Sequence, residues 1–158
     1  MKTGLFPGTF DPPSLGHLDI IQRTSNLCER LIVAIAKNPI KHSLFTIDER
    51  IEMLHLITKS LSNVEIVEFQ GLVVDLARDK KVSFLVRGLR AFADFEYEFQ
   101  MALANRHLSG LETVFLMAGE RHTHISSSLI REIASHNGPL CDFVPTEIEA
   151  MIRKKYRK

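Results

Sequence analysis

Four short stretches of this 158-residue chain hold residue types suited to phosphate. In "PGTFDPPSLGH", from Pro7 to His17, Gly8 and Gly16 can expose backbone, and a threonine and a histidine flank a proline turn. The amides that open a helix after such a turn bind anions. The same helix end disfavours imidazolium, so His17 is expected to be neutral and able to donate one hydrogen bond to a phosphate oxygen. The competing reading is a plain turn with a surface histidine. The stretch lacks the Gly-Lys-Ser ending of a P-loop and the spaced glycines of dinucleotide folds.

"RGLR" supplies Arg87 and Arg90, whose guanidinium forks match phosphate oxygens. They could equally form salt bridges to the acidic run Asp94, Glu96 and Glu98. Lys41, in "KNPIKHS", is a second positive centre or simply a solvated loop lysine. "HTHISSSLIRE" offers Ser126, Ser127 and Ser128 at a helix start, one as an N-cap and the others as phosphate contacts. His122 and His124 resemble a metal pair only superficially, and no residue is assigned as a metal ligand. Asp11 caps or stiffens its own Asp-Pro turn. No serine elbow, carboxylate pair or activated cysteine stands out. The balance favours phosphate chemistry done by positioning and charge stabilisation.

Such groups need a frame that gathers them. Strand-like runs occur at Thr3–Phe6, Leu31–Ala36, Val64–Phe69, Ser83–Arg87 and Thr113–Met117. The unbroken apolar run "LIVAIA" fits a strand covered on both faces, and the alternating "VEIVEF" one nearer the sheet edge. Between them the spacing predicts helices over 18–27, from Thr46, from Gly71 to Leu76, and over 94–108, 126–135 and from Pro145. Thr46 and Glu49 form a capping box, with Ile47, Ile51, Leu54, Ile57 and Leu61 as the buried stripe. Phe95, Phe99, Ala102 and Leu103 share one side of the long helix. Such alternation argues for an α/β, Rossmann-like fold: a five-stranded, mostly parallel sheet with helices on both faces. All four polar stretches follow strands, so they should meet at one sheet edge, where ligands of open α/β sheets bind.

A length of 158 residues suits a single domain over 1–158, with a short basic C-terminal tail. Net charge is +1, yet "RKKYRK" holds five of the twenty basic residues. Without that run the balance is 15 against 19, or −4, which argues against nucleic acid as a partner. No apolar stretch approaches membrane-spanning length, so no membrane partner is expected. Cys28 and Cys141 lack a CxxC spacing and fit free thiols in a cytoplasmic protein.

"PGTFDP…GH", "RGLR", "DFEYEFQMALANRHL" and "ISSSLIRE", in this order along nearly the whole chain, closely resemble bacterial phosphopantetheine adenylyltransferases of the nucleotidyltransferase superfamily. The resemblance implies reversible adenylyl transfer from ATP to 4'-phosphopantetheine in coenzyme A biosynthesis, giving dephospho-CoA and pyrophosphate. It implies Mg2+ as cofactor, ATP and phosphopantetheine as partners, and a cytoplasmic homohexamer. By resemblance, Thr9, His17 and Lys41 are catalytic. Thr9, Phe10, His17, Gly88, Leu89, Arg90 and Glu98 bind ATP. So does the loop His122, Thr123, His124, Ile125, Ser126, Ser127 and Ser128. Thr9, Lys41, Val73 and Arg87 bind the acceptor. Ser14 stands where the family commonly has threonine, Leu15 replaces a polar residue, and His122 replaces a common tryptophan. The rival readings are a nucleotide-binding module without catalysis, a related cytidylyl- or nicotinate-nucleotide transferase, and a nucleic-acid binder.

Overall fold

The computed structural model describes residues 2–37 and 42–157, with Ala93 by its backbone alone. Five strands, β1 (Thr3–Gly8), β2 (Arg30–Ala36), β3 (Val64–Phe69), β4 (Phe84–Leu89) and β5 (Glu112–Met117), make one sheet in the order β3-β2-β1-β4-β5. Every pairing is parallel. The helices are α1 (Leu15–Ser25), α2 (Ile47–Thr58), α3 (Val73–Asp79), α4 (Phe92–Ser109), α5 (Ser127–Ser135) and α6 (Thr146–Tyr156), with a 3-10 turn at Glu120–His122.

The apolar run of β2 divides between two cores, as alternation along a strand requires. Leu31, Val33 and Ile35 join Ile21, Met53, Ile130 and Ile148 beneath α1, α2, α5 and α6. Ile32 and Ala34 face the other way, toward Leu5, Leu85 and Ala77 of α3. The alternating β3 is indeed an edge strand.

Three expectations shift. Helix α1 starts three residues early because Ser14 caps it: the Ser14 hydroxyl accepts from the His17 amide at 3.2 Å. Helix α2 has its predicted capping box, but its fully buried face runs through Arg50, Met53, Leu54, Ile57 and Thr58. Ile47 and Ile51 are only half-buried, and Leu61 lies beyond the helix end. The basic run Arg153–Tyr156 is the last turn of α6 rather than a separate tail. There Lys155 pairs with Glu49 of α2 at 2.8 Å and lies over the Phe45 ring. The shared side of α4 holds Phe95, Phe99 and Leu103, and all three are exposed, as is Phe92.

Candidate active site

The loops that leave β1, β2, β4 and β5 open onto one cavity of about 850 Å3 at the carboxyl edge of the sheet. Its floor lies where the strand order reverses between β1 and β4, the point at which open α/β sheets bind ligands.

The β1 loop is tightly built. Phe10 adopts φ 50°, in the left-handed region, and its ring is almost completely buried. That ring meets Phe6 edge-on at 5.6 Å and His17 at 4.9 Å between centroids. Gly8 makes this possible, because a Cβ there would lie 2.8 Å from Phe10 Cζ. With its ring in the core, Phe10 can offer the cavity only backbone.

His17 is held by the helix it helps to begin. The Ser14 amide donates to His17 Nδ1 at 3.1 Å, which makes Nδ1 an acceptor and leaves the proton on Nε2. Burial, with the Arg90 and Arg87 charges adding to it, lowers the imidazole pKa to about 4. His17 is therefore a neutral donor at physiological pH, the state expected from sequence, with burial and the two arginines rather than the helix end as its cause.

Arg87 and Arg90 reach the same cavity from β4 and its end. Both are also ion-paired, the competing reading of their sequence. Arg87 Nε and Nη2 donate to both oxygens of Glu98 at 2.7 and 2.6 Å, and Nη1 donates to the Pro7 carbonyl at 2.6 Å. Arg90 donates to Asp94 at 3.2 Å and to the Ile125 carbonyl at 3.0 Å. Carboxylates one turn apart on α4 thus hold two arginines from one strand end. Both guanidinium groups are thereby held in fixed orientations at the cavity.

The three serines divide their work. Ser126 caps α5, accepting from the Leu129 amide at 3.1 Å. Ser127 donates to the Pro12 carbonyl at 2.8 Å, fastening α5 to the β1 loop. Ser128 accepts from Arg131 at 3.2 Å. The first amides of α5 have no intrahelical acceptor and open at the cavity rim.

Thr9, Phe10, His17, Val73, Arg87, Gly88, Arg90, Glu98, His122, Ile125 and Ser126 to Ser128 all line this cavity. Leu89, Thr123 and His124 do not. The Leu89 carbonyl accepts from the Ala118 amide, Thr123 donates to the Glu120 carbonyl, and His124 packs edge-on against Phe143. Lys41 lies outside the described residues. His42 and Ser43 line the β2 side, and Arg131 the α5 side; none of the three was singled out from sequence. The helical spacing of Ser128 and Arg131 in "SSSLIRE" was the available signal for Arg131.

Two arginines, a neutral imidazole donor and two helix starts around one cavity suit a polyanion with charge developing on a phosphoryl group. Residues 5–133 match the model of the cytidylyltransferase-like family. A phosphopantetheine adenylyltransferase of Clostridium botulinum (strain 657 / Type Ba4) is 47% identical over 156 residues, covering 98% of this chain and 95% of the relative. The namesake from the Hall strain has the same identity and coverage. A solved structure provisionally described as a nicotinate-nucleotide adenylyltransferase, from Vibrio parahaemolyticus, superposes with a TM-score of 0.68. It covers 96% of this chain and 99% of its own at 15% identity, a likeness of fold alone.

Proposed function

With the chain a member of the cytidylyltransferase-like family, in its phosphopantetheine adenylyltransferase branch, we propose how its residues share the reaction of that branch. The enzyme transfers the adenylyl group of ATP reversibly to 4'-phosphopantetheine, giving dephospho-CoA and pyrophosphate. A phosphate oxygen of the acceptor attacks the α-phosphorus of ATP. The bond to the bridging oxygen breaks, and pyrophosphate leaves with the electron pair. The acceptor oxygen is already largely deprotonated at neutral pH, so no strong base is needed. The difficulty is bringing two polyanions into line, and alignment alone can remove several kcal/mol from such a barrier.

Nucleotide phosphates run along Arg90, Gly88 and the amides of α5, with Thr9, Glu98, His122 and Ile125 completing their side. Arg87, Lys41 and Val73 hold the acceptor. His17 Nε2–H, Thr9 and the first amides of α1 meet charge on the transferring phosphoryl group. The observation that carries this reading is the fixed neutral tautomer of His17 beside two pre-oriented arginines. A donor aimed before substrate arrives costs no reorganisation when charge develops.

Magnesium fits as a companion of the triphosphate. Among the described residues no three His, Cys, Asp or Glu side chains cluster as a protein-only cage. Mg2+ commonly binds through substrate phosphates and keeps several waters. Arg90 and the α5 amides would hold the phosphates that carry it, and the ion would supply neutralisation of triphosphate charge.

The homohexamer is supported by α4 and β5. Phe92, at 92% exposed, shares one side of α4 with Phe95, Phe99 and Leu103; the three phenyl rings stack in sequence, and Phe95 also packs on Phe115 of β5, the strand face that ends in the exposed Met117. A contiguous apolar area of this kind marks an interaction surface. No helix among the described residues is long and apolar enough to cross a membrane, and Cys28 and Cys141 are free thiols. The cytoplasm is the compartment proposed. One domain spanning 1–158 completes the reading.

Pyrophosphate release should be measured with ATP and a panel of acceptors: phosphopantetheine, pantetheine and nicotinate mononucleotide. Turnover with the first alone is expected, and turnover with nicotinate mononucleotide alone would refute the assignment. Calorimetry on Arg87→Ala should show loss of the preference for phosphorylated over unphosphorylated acceptor. Normal acceptor binding with lost ATP binding would move Arg87 to the nucleotide side.

A further inference from the structure

Asp11 has no contact role in the chemistry above, yet its carboxylate is among the most heavily engaged in the molecule. It is 5% exposed. Its Oδ2 accepts from the Leu44 amide at 2.9 Å and its Oδ1 from the Phe45 amide at 2.9 Å. Arg131 lies 3.8 Å from Oδ2 and donates to the Asp11 carbonyl. Both carboxylate oxygens are thus spent on two consecutive amides 33 and 34 residues away, not on the neighbouring turn.

A second tie runs in parallel. Arg50 of α2 is 4% exposed, an unusual burial for arginine. It donates to the Thr9 carbonyl at 2.9 Å and to the Thr46 carbonyl at 3.3 Å. Thr9 and Asp11 are therefore stitched to the segment 44–50 from both directions. Phe45 is buried and held by Lys155 above its ring, so this segment has an anchored far end. Its near end, His42 and Ser43, forms the β2-side wall of the cavity.

We propose that Asp11 is a positioning residue, whose buried carboxylate fixes the amides of Leu44 and Phe45 and so sets the β2-side wall against the Thr9–His17 loop. Its main effect falls on the acceptor, because that wall faces the acceptor, while the Asp11 carboxylate meets Arg131 of α5 only at 3.8 Å, beyond hydrogen-bond distance. This rests on the acceptor placement given above. A carboxylate suits the task because it has two acceptor oxygens and no donor. An asparagine must turn its amide nitrogen toward one of the two backbone N–H groups, so one hydrogen bond becomes a donor–donor contact.

The test uses the full chain and needs no variant for its first step. Amide hydrogen exchange of the wild type should show Leu44 and Phe45 protected at least about 100-fold relative to a free peptide, although neither lies in a helix or strand. Unprotected amides would overturn the tether outright. In Asp11→Asn, exchange across residues 42–46 should rise about tenfold or more while the β2 amides stay unchanged. KM for phosphopantetheine should rise about 10- to 100-fold and KM for ATP by less than about threefold. Faster exchange with both KM values unchanged would overturn the positioning role. So would an ATP effect as large as the acceptor effect, because it would mark a general structural role. Exchange and ATP affinity by calorimetry do not depend on the acceptor's identity. Wild-type failure with phosphopantetheine would refute the function, while unchanged exchange in Asp11→Asn would refute the tether.

Discussion

Replacing His17 with alanine separates catalysis from folding. The imidazole hydrogen-bonds to protein through Nδ1, to Ser14, whose amide donates to it at 3.1 Å with the hydroxyl also 3.1 Å away. It also packs edge-on against Phe10. Losing the first costs about 1 kcal/mol, and Ser14 still caps α1 through its hydroxyl, so the fold should survive. Losing the Nε2–H donor to the transferring phosphoryl group should cost about 3–4 kcal/mol in the transition state, or about 10²–10³ in kcat. The ATP KM should change far less, because the donor meets charge that develops only on the way to transfer. Steady-state pyrophosphate release together with circular dichroism measures both parts. A folded variant within threefold of wild-type kcat would refute the role. A rise in ATP KM at constant kcat would also refute it, since that is the signature of uniform binding.

The same residue gives the pH dependence. The folded pKa of about 4 lies below the ordinary 6.5, so between these values the unfolded chain binds more protons and stability rises with pH. Lowering the pH from 7 to 5 should cost up to about 2 kcal/mol through this group, less any screening by cavity water, and His17→Ala should remove that contribution. Urea denaturation at the two pH values reads it, and histidine NMR should show no titration of His17 above about pH 5. Gly8→Ala should destabilise by about 1–3 kcal/mol and also lower kcat, because the new Cβ must displace the Phe10 ring that packs on His17; an unchanged melting temperature would contradict this packing. Ending the chain at Ile152 should leave kcat within a few fold but cost about 1–2 kcal/mol, since it removes Lys155 from Glu49 and Phe45. Loss of activity in a folded, assembled truncation would give the last turn a direct role.

Short-range pattern was legible in the residues themselves. Thr46 and Glu49 stand three residues apart and cap α2 as read, because a capping box is local hydrogen bonding. The alternation of 64–69 and the unbroken run of 31–36 told an edge strand from a central one, since a strand's period reports how many of its faces are covered. A neutral His17 was expected from its place at the start of α1, but what makes it neutral is tertiary: burial, with the Arg90 and Arg87 charges adding to it. Tertiary structure alone decided the partners. Glu98 and Asp94 were visible as acidic neighbours of the arginines, but which carboxylate meets which guanidinium depends on how α4 crosses β4. Asp11 looked like a local turn residue; its carboxylate instead serves amides far along the chain, which strand order 3-2-1-4-5 brings beside it. Arg50 sits inside the face read as apolar because the Thr9 carbonyl lies opposite it. The apolar side of α4 is divided: Phe95 packs on Phe115 of β5, while Phe92, Phe99 and Leu103 stay exposed and the carboxylates meet the arginines. How a helix shares its faces between sheet, ion pairs and surface depends on how it crosses the strands, which no local pattern records.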